Sequence, residues 1–485
     1  AFTKAFFWSP NGDYIAYYKF DESKVKEFWM TYYGELYPEH EKYKYPKAGE
    51  DNSVVSIHTY QLSTGKTKTM NIGEETDIYI PRMKWTHESD ELVILWMNRL
   101  QNNLKFLLTN PATGENTEIY NETNEYYIEI TDNLHILANK KGENAGFILT
   151  AELDGFNHVY YYDMNGKLQK QLTSGNWDVD HIIGYDSQEK VVYYQAAKTA
   201  PYNREVFGVS LKGKEKPIEV KEGWNSVTFS ANYKYYTSTW SDANTPPVYS
   251  LKSIKGKNIK TLQDNQALKD RIVEYNYQEK TFYDITTSED VKLSTWQILP
   301  PNFDKNKEYP VLFTIYGGPG SQTVKNSWGY RDAWYQYFAQ QGIIVVSVDN
   351  RGTGFKGEAF KKVTYQELGK YETVDQIEAA KYFESLPYVA KDKIGIFGWS
   401  YGGYMSTLCM TKGAEHFNTG IAVAPVTNWR YYDNIYTERY MRTPQTNAAG
   451  YDDNSPINHV EKLKGNYMLI HGMADDNVHP HNAYD

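Results

Sequence analysis

The stretch Gly398-Trp399-Ser400-Tyr401-Gly402-Gly403-Tyr404-Met405 follows the apolar run Ile394–Phe397. G-x-S-x-G between a predicted strand and a predicted helix is the pattern of a nucleophile elbow, in which flanking glycines leave room for a strained turn that exposes the serine hydroxyl at a sheet edge. The N–H of Tyr401, opening the helix, can aim at an oxyanion with help from the helix dipole. The five-residue pattern alone also occurs in plain turns, so its placement between strand and helix carries the weight.

A serine hydroxyl is a weak nucleophile without a base, and the base needs an acid to orient it, in the hydrolase chain order Ser, Asp or Glu, His. Downstream, Met468-Leu469-Ile470 runs into His471-Gly472-Met473-Ala474-Asp475-Asp476-Asn477. This places Asp475 at the carboxyl end of a late strand, with Asp476 as second choice. No histidine in the chain fits as well. His479 and His481 lie on the acid's own loop and would have to fold back sharply, while His471 and His459 precede the acid. Each is expected to be a surface or packing residue, and the base is expected beyond residue 485.

These residues need a parallel sheet to bring them together. From about residue 280 the chain alternates between apolar runs (310–316, 343–348, 394–397, 420–424, 467–470) and helical patterns (332–341, 373–386, 401–410). Continuous apolar strands with amphipathic helices between them describe a mostly parallel sheet covered on both faces, with ligands at the carboxyl ends of its strands. A competing loop, Gly352-Thr353-Gly354-Phe355-Lys356-Gly357, has dinucleotide-binding spacing. Neither a helix opening at the glycines nor an acid after the next strand is expected in 361–371, so it reads as a plain loop.

Residues 1 to about 265 look all-β, with short Tyr-, Val- and Ile-rich runs between turn signals. An aromatic-Ser/Thr opener before a polar turn and a strand occurs twice, in WSPNGDYIAYY from Trp8 and WTHESDELVILW from Trp85. This favours a β-propeller of about six blades over a sandwich. The expected organisation is a partial β-propeller over 1–270 and an α/β-hydrolase domain over 271–485.

Composition narrows the function classes. The 485 residues exceed one ordinary core, and 40% apolar with 23% charged residues is usual for a globular chain. A formal charge of −10 without clustered Lys and Arg disfavours nucleic acid as a partner. The single Cys409 rules out an internal disulfide and a cysteine zinc site, and nothing calls for a metal or cofactor. The chain opens without Met or a signal peptide, so it is expected to be a piece of a longer protein.

Several motifs now carry a resemblance: Tyr316-Gly317-Gly318-Pro319-Gly320, Asp349-Asn350-Arg351-Gly352, Gly398–Tyr404, Ala424-Pro425-Val426, Tyr436–Met441 and His471–Val478, with Trp8–Gly12 and Tyr45–Gly49 in the β-rich half. Together they resemble the dipeptidyl peptidase IV group within the prolyl oligopeptidase class of serine peptidases. The resemblance implies Ser400 as nucleophile, Asp475 as orienting acid, and Tyr316 with the Tyr401 N–H as the oxyanion hole. It implies a pocket for the substrate's second residue, usually Pro or Ala, lined by Tyr401, Val426, Trp429, Tyr432 and Tyr436. It also implies that Asn477 binds the substrate backbone carbonyl. On the residues alone, Tyr316 is a strand-end aromatic and Trp429–Tyr440 a tyrosine-rich structural segment.

The group's amine-binding glutamate pair is expected before the segment aligned with 2–8, and neither Glu74-Glu75 nor Glu438 replaces it by motif. The implied activity is release of Xaa-Pro or Xaa-Ala dipeptides through an acyl-enzyme, with this chain alone inactive. The implied partners are peptides, with a homodimer as assembly and a periplasmic or cell-surface location. Alternatives are an inactive propeller-hydrolase scaffold that binds peptides or proteins, and an acylaminoacyl peptidase or prolyl endopeptidase of the same fold.

Overall fold

The structure is a computed structural model that describes residues 4–485. Among these residues the β-rich half forms five four-stranded antiparallel sheets, from Phe6–Trp8 in the first to Asn258–Gln263 in the fifth. Four of the five take their strands in unbroken chain order, as propeller blades do. Apolar side chains fill the gaps between successive blades. Ile57 packs with Ile94, Phe106 with Phe147 and Tyr162, and Ile148 with Tyr194.

The blade count is five, where the spacing suggested about six. In the first sheet, a hairpin of Glu27–Tyr32 and Glu39–Lys44 is inserted between the second and third strands. Glu-His-Glu-Lys-Tyr-Lys in its second strand has no apolar face to bury, so this stretch projects as an arm.

The C-terminal half carries a seven-stranded sheet. Its spatial order is Lys280–Thr286, Lys292–Ile298, Ile344–Val348, Tyr309–Ile315, Val389–Trp399, Thr419–Val423, Asn466–Ile470. The first two strands form an antiparallel edge, and the other five are parallel. This is the α/β-hydrolase arrangement expected from the alternating pattern. The helix expected over 373–386 begins a turn earlier, at Lys370, where the Glu372 carboxylate accepts the Gly369 N–H at 2.9 Å and caps it.

The Gly352–Gly357 loop differs from expectation in one respect, because a five-residue helix, Glu358–Lys362, opens directly after it. Its glycines serve the contact between the two halves. Gly357 donates its N–H to Asp178 at 3.0 Å, and a Cβ there would lie 2.7 Å from the Phe156 ring. The Arg204 guanidinium lies 3.5 Å from the centre of the Phe355 ring. Lys361, nearly buried, pairs with Glu129 at 2.7 Å and Glu152 at 2.5 Å. No helix among the described residues is long and apolar enough to cross a membrane.

Candidate active site

Parallel register brings four strand ends to one edge. Ile315 aligns with Gly398, Trp399 with Val423, and Val423 with Ile470. Tyr316, Ser400, Ala424 and His471 are the next residues, so the chemistry expected of Tyr316, Ser400 and Asp475 converges there.

Ser400 has φ 60° and ψ −120°, between the Val389–Trp399 strand and the Tyr401–Lys412 helix. Such a backbone costs a non-glycine residue on the order of 1–3 kcal/mol. Its N–H donates to the Val423 carbonyl at 2.8 Å, which ties the turn to the neighbouring strand. The glycines explain themselves by contact. A Cβ on Gly398 would lie 2.1 Å from the Gly402 carbonyl oxygen, and one on Gly402 would lie 2.2 Å from that of Ile315. No larger residue fits at either place without moving backbone.

The Tyr401 N–H sits in the first turn of its helix, where intrahelical acceptors are lacking. Tyr316 is part-exposed beside it, with ring centres 6.0 Å apart. Burial pushes the Tyr316 phenol above its ordinary range, so it stays protonated and able to donate.

Asp475 is held by its own loop. Its Oδ1 accepts the N–H groups of Asn477 at 3.1 Å and Val478 at 2.9 Å. Among the described residues its Oδ2 accepts no hydrogen bond, and His471 Nε2 is 3.8 Å away. Ser400 and the Asp475 loop follow strands two positions apart, a backbone separation of about 10 Å.

The histidines in the chain are engaged elsewhere. His479 is fully buried, lies parallel to Phe28 with ring centres 3.4 Å apart, and is 2.8 Å from the Tyr43 hydroxyl. His471 Nε2 donates to the Val478 carbonyl at 2.7 Å, His481 stacks on Tyr431, and His459 bonds the Asp453 carbonyl. None is hydrogen-bonded to Ser400 among the described residues.

Behind Tyr401 stands a cluster of rings. Trp429 lies 5.4 Å from Tyr401, 5.9 Å from Tyr432 and 5.8 Å from Tyr436, centre to centre. Val426 and Trp429 are buried, while Tyr432 and Tyr436 are part-exposed. Asn477 is exposed, and its side-chain oxygen accepts the Tyr432 hydroxyl at 2.9 Å. The residues expected to line one pocket are thus brought together.

Three further residues belong here that the sequence did not single out. Tyr440 packs 4.9 Å from Tyr436, one helical turn on, and the Y-x-x-x-Y spacing was a usable signal. Val478 is buried in the same cluster. Glu372, distant in sequence, accepts the Tyr401 hydroxyl at 2.7 Å.

Of the glutamates weighed as amine binders, Glu438 is engaged, and Glu74 and Glu75 are exposed on the blade side of the chain. Glu438 is buried, binds Arg99 through both oxygens at 2.8 Å, and accepts the Gly49 N–H. Glu75 accepts the Asp77 N–H at 2.8 Å.

A strained serine between close-packed glycines, at the carboxyl edge of an α/β-hydrolase sheet that follows propeller blades, defines a propeller-bearing α/β-hydrolase fold. The model of the dipeptidyl peptidase IV N-terminal region matches residues 1–247, and that of the prolyl oligopeptidase family matches 328–485. The chain belongs to the prolyl oligopeptidase family, with an N-terminal region of the dipeptidyl peptidase IV type.

It is 41% identical to dipeptidyl peptidase 4 of Porphyromonas gingivalis, whose crystal structure superposes with a TM-score of 0.95 over 100% of this chain and 68% of that one. It is 35% identical to dipeptidyl aminopeptidase B of Saccharomyces cerevisiae, over 99% of this chain and 63% of the relative. A probable dipeptidyl peptidase 4 of Arthroderma benhamiae is 32% identical, over 99% and 64%. The chain therefore spans less than two thirds of the length of these two curated relatives.

Proposed function

We propose that the protein is a serine exopeptidase that releases N-terminal Xaa-Pro or Xaa-Ala dipeptides. The observation that carries this reading is the aromatic cluster directly behind the elbow, where Trp429 packs against both Tyr401, the residue after Ser400, and Tyr436. A flat, rigid pyrrolidine gains apolar contact from such rings without needing a hydrogen bond. The dipeptidyl peptidases to which the chain is similar support the same class.

In this reading the Ser400 hydroxyl attacks the carbonyl of the substrate's second residue and gives its proton to an imidazole oriented by Asp475. In the hydrolase chain order that imidazole comes after the acid. The tetrahedral oxyanion receives hydrogen bonds from the Tyr401 N–H and the Tyr316 hydroxyl, the amine leaves with the proton, and water hydrolyses the acyl-enzyme. The Asn477 side-chain amide, its oxygen held by the Tyr432 hydroxyl, donates to a substrate backbone carbonyl. For the assembly we favour a homodimer, supported by the arm at 27–44, whose tip exposes Tyr33, Leu36 and Tyr37. We also place it in the periplasm or at the cell surface.

The test is hydrolysis by the full-length protein of a Gly-Pro chromogenic amide, its N-acetylated form and a longer peptide with internal proline. Cleavage of the first alone is expected. Cleavage of the acetylated substrate would indicate an acylaminoacyl peptidase, internal cleavage a prolyl endopeptidase, and no cleavage a scaffold.

A further inference from the structure

One buried ionisable group next to the elbow has no part in the chemistry above. Glu372 lies in the first turn of the Lys370–Glu384 helix and is fully shielded from solvent. Its Oε1 accepts the Tyr401 hydroxyl at 2.7 Å and its Oε2 accepts the Gly369 N–H at 2.9 Å. Among the described residues it forms no ion pair. Asp375, one turn along, is taken by Arg351 at 2.7 Å, and Lys412 donates to the Asp453 carbonyl and the Asn454 side chain. The Tyr404 hydroxyl, from the same face as Tyr401, donates to the Leu368 and Asn454 carbonyls instead.

A buried carboxylate without a cation is unfavourable, and burial pushes Glu372 up to about 7. The cap on the Gly369 N–H needs only an acceptor, which a neutral amide side chain would also supply, so the cap alone gives no reason for a carboxylate here. Its one side-chain partner does. Tyr401 follows Ser400 directly, and its ring lies 6.0 Å from Tyr316, 5.4 Å from Trp429 and 5.4 Å from Tyr404. The ring is thus packed among Tyr316, Trp429 and Tyr404, and its phenol oxygen ends at Glu372.

We propose that Glu372 is a positioning residue: it grips Tyr401 from beneath, so that the ring forms a fixed pocket floor and the N–H stays aimed at the oxyanion. The inference rests on the peptidase reading given above. A floor held in one place discriminates by shape, so a rigid pyrrolidine should benefit from it more than a methyl group does. Hydrogen bonds to a charged acceptor are about twice as strong as neutral ones, and transmission of that difference to the bound substrate corresponds to roughly a tenfold effect.

The experiment uses the full-length protein with Glu372→Gln, Tyr401→Phe and both together. kcat and KM are measured on Ala-Pro and Ala-Ala chromogenic amides and normalised to Ser400 labelled by a fluorophosphonate. For Glu372→Gln we expect KM for the Pro substrate to rise about tenfold, with a smaller rise for Ala. The double variant is expected to be no worse than Tyr401→Phe, because both act through one bond. An unchanged Pro-to-Ala ratio, or losses that multiply in the double variant, would overturn the inference. If Glu372→Gln does not fold, Tyr401→Phe decides alone: a reduced ratio supports the inference and an unchanged one overturns it. Wild-type protein that labels but cleaves neither substrate would instead overturn the peptidase reading, and this inference with it.

Discussion

Gly402→Ala is the sharpest perturbation of the elbow that removes no reacting group. The added methyl would lie 2.2 Å from the Ile315 carbonyl oxygen and 3.2 Å from the Tyr316 Cα. An ordinary contact is about 3.5 Å, so helix and strand must part by about 1 Å. Both atoms in the clash belong to the backbone, so no side chain can swing away. Overpacking of this kind costs about 1–3 kcal/mol of stability. The same displacement separates Tyr316 from the Tyr401 N–H, and a 1 Å misplacement of reacting groups lowers turnover by about a hundredfold. Gly395→Ala in the same strand is the control, because its methyl would meet nothing nearer than 3.4 Å. The assay is kcat/KM on an Xaa-Pro amide with urea unfolding of the same preparations. Gly402→Ala with wild-type turnover and midpoint would refute the steric account of the elbow, as would equal damage from Gly395→Ala.

Other perturbations test the neighbouring claims. Ser400→Gly relieves the strain at φ 60° and should raise unfolding free energy by about 1 kcal/mol while abolishing turnover; a lower urea midpoint would contradict stored strain. Lys361→Met leaves Glu129 and Glu152 without their shared cation between the two halves, and should cost about 3 kcal/mol in chemical denaturation. A change under 1 kcal/mol would show that Lys362, also paired with Glu152, carries the contact. Burial depresses His479 to about 3, against about 6.5 for a free imidazole. The unfolded chain therefore binds a proton that the folded chain refuses, and stability should fall as pH drops from about 6.5 towards 3. His479→Gln should flatten that slope, and an unchanged slope would place the pH sensitivity elsewhere.

The parallel sheet was legible because its central strands are largely buried and so read as unbroken apolar runs, such as Ile394–Phe397 and 344–348. The elbow was legible for a different reason: close backbone approach at Gly398 and Gly402 permits only glycine, which leaves a mark in the letters. The arm at 27–44 was not, since Phe28, Trp29 and Tyr43 look like blade strands until their charged neighbours are seen to have nothing to cover. Glu372 was hidden as well. It lies 29 residues from Tyr401 on a different helix, and a glutamate near a helix start reads as an ordinary cap. Ser400 and Asp475 were marked by motif and Tyr316, Trp429 and Asn477 by the resemblance, and only the fold shows that Tyr316, Ser400 and the Asp475 loop follow strands ending at one edge. Tyr440 could have been found from its spacing to Tyr436, whereas the buried stacking of His479 on Phe28 joins residues that sequence order keeps far apart.

The central claim is that Ser400 is the nucleophile of a dipeptide-releasing peptidase. The most direct measurement is mass spectrometry of the full-length protein after treatment with a fluorophosphonate, with and without a saturating Xaa-Pro peptide. One adduct is expected, on Ser400, slowed by the peptide and accompanied by complete loss of dipeptide release. An adduct on another residue, or dipeptide release that persists in Ser400→Ala, would contradict it.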